Sequence, residues 1–173
     1  MPSSYQGKMR RDSASPHDVS QSVDSNLAKA VSTVANLLEK KGGDVVTIRP
    51  QETIAHAVAT LREKRIGAIV VTDAEGALQG ILSERDVVSK LAEVGAEVLS
   101  LSVADLMTRE VTTCDPDERI IAILQKMTDG RFRHVPVIRD GRLIGLVSIG
   151  DLVNYRLREL EYEALKMKQM IVG

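Results

Sequence analysis

The chain carries GILSERD at residues 80–86 and GLVSIGD at residues 145–151. A second pair has the same separation, since VTIRP at residues 46–50 returns as VTTCDP at residues 111–116, about 65 positions later. Such a period indicates repeated supersecondary units, and a unit of this length is too small to bury its own apolar face well. The sequence therefore predicts two units that pack on each other about a pseudo-twofold axis, with the functional site where they meet.

Composition narrows the range of partners. The chain has 173 residues, of which 43% are hydrophobic, and this length favours a single domain with one core. Its 23 basic and 24 acidic residues nearly cancel, so no overall field would attract a polyanion, and an aromatic share of 2% leaves few rings for stacking on single-stranded bases. No apolar run approaches the length of a membrane span. We expect neither nucleic acid nor a membrane as a partner.

The amino-terminal segment and the single cysteine bear on location. Residues 1–24 are rich in Ser, Gln and Asp without a helical or strand period, which predicts a disordered segment. Lys8, Arg10 and Arg11 faintly resemble a mitochondrial transit peptide, but the acidic residues that follow argue against one. Cys114 is the only cysteine and cannot form an internal disulfide. We therefore expect a cytoplasmic protein, with a mitochondrial one as the weaker alternative.

Hydrophobic periodicity predicts the same order of elements in both units: helix, strand, helix, strand, strand, helix. The first unit, residues 25–93, is predicted to contain a lead helix over Leu27–Lys41, a strand over Val45–Ile48, a helix after Pro50, strands over Ala68–Val71 and Leu78–Leu82, and a helix from Ser83. A linker at 94–101 leads to the second unit, residues 102–157, with a strand over Val111–Thr113, a helix over Asp117–Met127, strands over His134–Ile138 and Leu143–Val147, and a last helix. That helix continues as a C-terminal extension at 158–173, whose apolar stripe either packs on its own domain or pairs with another subunit.

Each unit closes on a Ser-x-x-Asp pair that follows an apolar strand and opens a helix, Ser83 with Asp86 and Ser148 with Asp151. One interpretation is a capping box, in which the serine and the acidic side chain satisfy free amides of the first helical turn. The other is a ligand site, because a helix N-terminus offers amides to a phosphate and a fixed carboxylate can accept two hydrogen bonds from a ribose diol. The two interpretations are compatible, and both stay open.

These motifs together resemble a known family. A Thr- and Pro-containing first strand, the strands IGAIV at 66–70 and RHVPV at 133–137, and a closing Gly-x-x-Ser-x-x-Asp in each unit are similar to a tandem cystathionine-β-synthase-type (CBS) domain pair over roughly residues 33–157. The resemblance implies an α+β fold of two pseudo-twofold-related α-β-α-β-β-α units, the Bateman-type module, in its stand-alone form. It also implies clefts that bind AMP, ATP or NAD.

The resemblance places residues in two related clefts. In the favoured cleft, the residues at the adenine base are Thr47, Ile48, Val135 and Pro136. Ser148 and Asp151 are placed at the phosphate and ribose, and Arg133 and His134 at the end of the cleft. In the second cleft they are Thr112, Thr113, Ala68, Ile69, Ser83 and Asp86, with Lys64, Arg65 and Arg85 as cations for phosphate. Arg131 is a further candidate cation of the favoured cleft. Gly150 stands where the first unit has Arg85, and Ala68 stands where the second has His134, so the clefts are not equivalent.

Two functions follow as expectations. The first is a non-catalytic regulatory module that binds an adenine nucleotide between its repeats and signals through a change of conformation or dimer, possessing no catalytic residues, metal ligands or catalytic cofactor. The alternative is a ligand-free dimeric scaffold that recruits an unidentified client protein through its C-terminal helix. The resemblance implies a homodimer in either case, with the contact formed by Val87, Val88, Leu91, Leu152 and Val153.

Overall fold

A computed structural model of the protein describes residues 32–172. The segment predicted to be disordered, residues 1–24, and the start of the predicted lead helix lie outside the described residues. The first repeat contains α1 (Val34–Lys41), β1 (Thr47–Ile48), α2 (Ile54–Lys64), β2 (Ala68–Thr72), β3 (Leu78–Ser83) and α3 (Glu84–Val94). The second contains α4 (Val103–Leu106), α5 (Ile120–Gly130), β4 (His134–Arg139), β5 (Arg142–Ser148) and α6 (Ile149–Val172). The predicted α+β pair is confirmed.

The two sheets share one register but differ at their first strand. Residue Ala68 pairs with Ser83 in the antiparallel ladder of β2 and β3, and His134 pairs with Ser148 in that of β4 and β5. Strand β1 runs parallel to β2, with Thr47 opposite Val70.

The predicted strand over Val111–Thr113 is wrong: the second repeat has only an isolated bridge between Cys114 and Val137. The reason is Pro136. In the first repeat the amide of Val70 donates to the Val46 carbonyl at 3.3 Å, whereas the matching place in the second repeat holds a proline, which has no N–H to donate.

The lead helices pack on the repeat that they do not belong to in sequence. Val34 and Leu37 of α1 lie in the core of the second repeat, while Val103 of α4 and Met107 after it lie in the core of the first. Burial of such a side chain contributes about 1.5–3 kcal/mol, so each repeat depends on its neighbour for part of its core.

Backbone hydrogen bonds fix this exchange in the same way at both ends. Ala35 N donates to the Pro116 carbonyl at 2.7 Å, and Ala104 N donates to the Pro50 carbonyl at 2.8 Å. The two repeats are therefore interlocked by matching backbone hydrogen bonds at both ends.

Outside the cores, α3 and α6 leave apolar side chains at the surface. Of the residues that the sequence placed in a dimer contact, Val87 and Leu152 are buried in the two cores, whereas Val88, Leu91 and Val153 are exposed. The 94–101 segment forms a 3-10 helix at Gly95–Ser100, anchored by the fully buried Val98. Within residues 32–172, no helix is both long enough and apolar enough to cross a membrane.

Candidate functional site

A cavity of about 590 Å³ lies between the two repeats, within the range of sites for small ligands. Both repeats contribute to its wall, since the seam joins the start of α3 to the segment between α5 and β4. The lining residues are Gly67, Ile81, Ser83, Glu84, Arg85, Asp86, Thr108, Glu110, Val111, Thr112, Gly130, Arg131, Phe132, Arg133 and His134. A ligand here would touch both repeats at once.

Asp86 lies in the cavity wall and also caps α3. Its Oδ2 accepts hydrogen bonds from the Ser83 amide at 2.8 Å and from the Ser83 hydroxyl at 2.6 Å. The capping-box interpretation is therefore confirmed for this pair. Both of these bonds fall on one oxygen, and a carboxylate has about four acceptor positions, so Oδ1 retains capacity for a ligand hydroxyl.

Arginines surround the same space. Arg85 comes from the first turn of α3, and its Nη1 donates to the Arg131 carbonyl at 3.1 Å across the seam. Arg131 ends α5 in the left-handed conformation, with φ of 56°, and Arg133 follows it at the entry to β4. Guanidinium groups of this kind bind phosphate oxygens by charge-assisted hydrogen bonds. The backbone amides contribute less, because Ser83 N is bonded to Asp86 and Glu84 N donates to the Gly67 carbonyl at 3.0 Å.

His134 is half-buried at the point where the two repeats meet. A Cβ on Gly67 would lie 3.4 Å from the His134 Cε1, so the ring lies beside the backbone at position 67. Burial lowers the pKa of His134. The positive charges of Lys41 and Arg133 lower it further, and the carboxylates of Asp151 and Glu84 only partly oppose these effects. The imidazole is therefore neutral at pH 7 and can donate or accept a hydrogen bond.

Asp151, the counterpart of Asp86 in the second repeat, forms an ion pair with Lys41. Lys41, the last residue of α1, lies with its Nζ 2.5 Å from Asp151 Oδ2 and 2.9 Å from the Leu146 carbonyl. Ser148 completes a reciprocal capping pair with Asp151, by amide bonds of 2.8 and 3.2 Å. Partial burial alone would raise the pKa of Asp151, but the hydrogen bonds from Lys41 and Ser148 outweigh it and lower that pKa. Asp86 lines the cavity, whereas Asp151 is held by a lysine.

The structure redistributes the residues that the sequence assigned to two clefts. Arg133 and His134 of the favoured set line the same cavity as four members of the second set, Ser83, Arg85, Asp86 and Thr112. The remaining members lie outside its lining. These are the buried Ile48, Ala68, Ile69, Val135 and Pro136, the half-buried Thr113, Ser148 and Asp151, and the exposed Thr47, Lys64 and Arg65. The choice of cleft stays a prediction.

Sequence reasoning missed several lining residues and one neighbour. Thr108, Glu110 and Val111 follow α4 and reach the cavity because α4 packs on the opposite repeat. Lys41 is the last residue of α1, which packs on the second repeat, and it reaches Asp151. The sequence did contain a signal for these residues. The lead helices α1 and α4 are themselves repeated, so the residues at their C-terminal ends take corresponding positions. Phe132, the only phenylalanine of the chain, lines the cavity but has no counterpart in the other repeat, where Ile66 stands.

Comparison with known proteins agrees with this architecture. The model of the CBS domain matches residues 34–93 and again residues 103–158. The chain belongs to the CBS domain family, and it carries two copies of the domain.

Three relatives illustrate the match. A CBS-domain-containing protein of Agrobacterium tumefaciens has a crystal structure that is 47% identical, with a TM-score of 0.71 over 72% of this chain and 99% of that one. The CBS domain pair of protein MJ0100, solved in complex with 5'-methylthioadenosine and S-adenosyl-L-methionine, is 25% identical, with a TM-score of 0.67 over 75% of this chain and 98% of that one. The mitochondrial CBS domain-containing protein CBSX3 of Arabidopsis thaliana is 34% identical, over 82% of this chain and 72% of its own length. The location of the present chain stays a prediction.

Proposed function

We propose that this chain is a non-catalytic regulatory module that binds an adenosine-containing nucleotide, such as AMP, ATP or NAD(H), in the cavity between its repeats. One observation carries the proposal: a single cavity of about 590 Å³ combines a carboxylate with a free oxygen, three arginines and apolar side chains, drawn from both repeats. A relative of the same fold, the MJ0100 pair, is bound to adenosine-containing ligands, which supports the same class of ligand here.

Each part of a nucleotide has a matching group in the cavity. Asp86 Oδ1 accepts hydrogen bonds from the ribose hydroxyls, as a carboxylate held by its own capping bonds is positioned to do. Arg85, Arg131 and Arg133 bind the phosphates. The base packs on apolar side chains between Ile81 and Val111, at the side of the cavity where the backbone of β3 meets the segment after α4.

The Asp86 cavity is the primary site in this proposal, although the sequence favoured the cleft of Asp151. The Lys41 ammonium bonds to Asp151 and would have to leave before a ribose diol could replace it. Arg133 and His134, which the sequence placed at the end of the favoured cleft, line the Asp86 cavity.

The signal is a change in how the repeats meet. Arg85 and the carbonyl of Arg131 already bridge the seam, so a phosphate that recruits these arginines alters a contact between the two repeats. A ligand shifts such an equilibrium only by its differential affinity for the two states, commonly about 1–3 kcal/mol.

Isothermal titration calorimetry with AMP, ATP and NADH tests the proposal. We expect at least one of them to bind with a Kd below about 1 mM, a binding free energy stronger than about −4 kcal/mol, and adenosine to bind more weakly than AMP because it lacks the phosphate. Absence of binding by all three would overturn the proposal and support the scaffold alternative. Equal affinity for adenosine and AMP would contradict the role given to the arginines.

A further inference from the structure

Helix α6 presents two different faces along its length. One face packs on its own domain, where Leu152 is fully buried, Lys40 Nζ lies 4.5 Å from the centre of the Tyr155 ring, and Glu159 accepts a hydrogen bond from Ser32. A neighbouring face, about 100° around the helix from Leu152, carries apolar side chains that are exposed. We call this face the α6 stripe, and its members are Val153, Leu157, Leu160, Ala164, Met167 and Ile171.

The spacing of the α6 stripe alternates between four and three residues, which is the a and d pattern of a heptad. Leu157, Ala164 and Ile171 take the a positions, and Val153, Leu160 and Met167 take the d positions. The large side chains of the stripe are 42–83% exposed, over a length of about 27 Å. A strict seven-residue period favours a second helix that supercoils with α6, because a straight helix drifts away from that period.

Charged residues beside the stripe identify the second helix. Arg156 and Glu163 take the g positions, and Glu161 and Lys168 take the e positions. In a parallel, in-register pair each g residue faces the e residue five positions later on the other helix. Arg156 then faces Glu161 of a second copy, and Glu163 faces Lys168, so both pairs have opposite charges and twofold symmetry repeats each of them.

The antiparallel arrangement with full overlap has the opposite electrostatics. It places Glu161 against Glu161 of the second copy and Glu163 against Glu163, and like charges at these positions disfavour a pairing. Within its own helix, Arg156 Nη1 lies 3.2 Å from Glu159 Oε2 and 3.9 Å from Glu163 Oε1. These contacts hold Arg156 beside the stripe, on the side where Glu161 of a second copy would lie.

We propose that α6 forms a parallel, in-register, two-stranded coiled coil with α6 of a second copy of this chain. The stripe begins at Val153, in the body of the second repeat, so parallel pairing sets the second repeat of one copy beside the second repeat of the other. This arrangement does not depend on nucleotide binding, and it assigns the C-terminal helix to self-association.

Cysteine cross-linking of the full chain tests orientation and register together. In a parallel pair Leu160 faces Leu160 of the second copy, so Leu160→Cys places two thiols at one level of the coil, within reach of a disulfide. Leu165→Cys is the matched control, because Leu165 is also exposed but lies on another side of α6. The native Cys114 is buried and does not compete.

We expect Leu160→Cys to form a covalent dimer at least about tenfold faster than Leu165→Cys under mild oxidation. Sedimentation equilibrium should show a dimer of the unmodified chain and a loss of association in Leu160→Glu, whose far-UV circular dichroism checks that the domain is folded. A monomeric parent chain, equal cross-linking of the two cysteine variants, or a dimer that Leu160→Glu leaves intact would each overturn the proposal.

Discussion

Asp86 performs two tasks in the proposed function, capping α3 and binding the ribose, and Asp86→Asn separates them. The chain itself shows that asparagine supports a capping box, because Asn36 Oδ1 accepts from the Thr33 amide and from the Thr33 hydroxyl, both at 3.0 Å, at the start of α1. The variant therefore keeps the shape of the cap, with the amide oxygen toward Ser83, and replaces the charged acceptor Oδ1 with an NH2 group that only donates.

The expected loss of nucleotide affinity follows from the hydrogen bonds between Asp86 and the ribose hydroxyls, which change from charged to neutral bonds. Hydrogen bonds to a charged acceptor contribute about 1.5–3 kcal/mol and neutral ones about 0.5–1.5, so the difference is about 1 kcal/mol per bond. Two ribose hydroxyls bonded to Asp86 then predict a loss of about 2 kcal/mol, a Kd weaker by about 30-fold. Helix stability changes less, by about 1 kcal/mol or below, through the lost charge at the N-terminus of α3.

Asp105 supplies the matched control. Its Oδ2 accepts from the Ser102 amide at 2.9 Å and from the Ser102 hydroxyl at 2.6 Å, nearly the geometry of the Ser83–Asp86 pair, but Asp105 does not line the cavity. Asp105→Asn should therefore leave nucleotide affinity unchanged in calorimetry, while thermal unfolding checks the folding of both variants.

Two results would refute this reasoning. If the parent chain binds nucleotide and Asp86→Asn binds it within about twofold of the parent, the carboxylate does not hold the ribose. If Asp105→Asn loses as much affinity as Asp86→Asn, the effect arises from helix capping and not from contact with the ligand.

Three further predictions concern Lys41, His134 and Cys114. Lys41→Met frees Asp151, so we expect calorimetry to show a second nucleotide bound per chain and an NMR titration to show a higher pKa for Asp151. Because the ion pair is partly exposed, the variant should lose at most about 1 kcal/mol of stability above about pH 4. An unchanged stoichiometry would contradict the blocking role of Lys41. Because burial lowers the pKa of His134, the unfolded chain gains this proton first, so its contribution to stability is complete above about pH 6.5 and is lost as the pH falls through the folded pKa. Urea unfolding of His134→Asn at pH 7 and pH 5 should show a smaller loss on acidification than the parent, and an equal loss would count against a neutral buried imidazole. Burial raises the pKa of Cys114 to about 12, so a thiol reagent at pH 8 should label the unfolded chain and spare the folded one, whereas rapid labelling without denaturant would contradict this burial.

The sequence was most informative where local pattern decides local structure. Apart from one strand of the second repeat, the order of elements is confirmed because apolar spacing distinguishes a strand from a helix. The Ser-x-x-Asp caps are confirmed because a capping box involves only residues three apart. The strand expected at residues 111–113 failed for a reason that involves another segment. Pro136 has no backbone N–H to donate to residues 111–113. This matters only because β4, which contains Pro136, lies beside those residues in the fold.

The site was harder to predict than the fold. Arg85, Asp86 and Thr112 were placed in one cleft and Arg133 and His134 in another, yet all five line one cavity. Residues of the two repeats that are far apart in sequence meet there, and the repeat pattern alone does not state which half of each unit faces the seam.

By itself, the sequence determined that two similar half-domains form one fold and that each closes on a capped helix, because repetition and short-range spacing are properties of the chain order. Its motifs also carried the resemblance to the CBS domain family, which the family comparison confirms. Only the tertiary structure decided that α1 and α4 exchange places between the repeats, that Lys41 covers Asp151, and that Asp86 lines the cavity. These outcomes depend on which buried surfaces and hydrogen-bonding groups meet across the seam. Packing between distant segments determines that, and no local pattern encodes it.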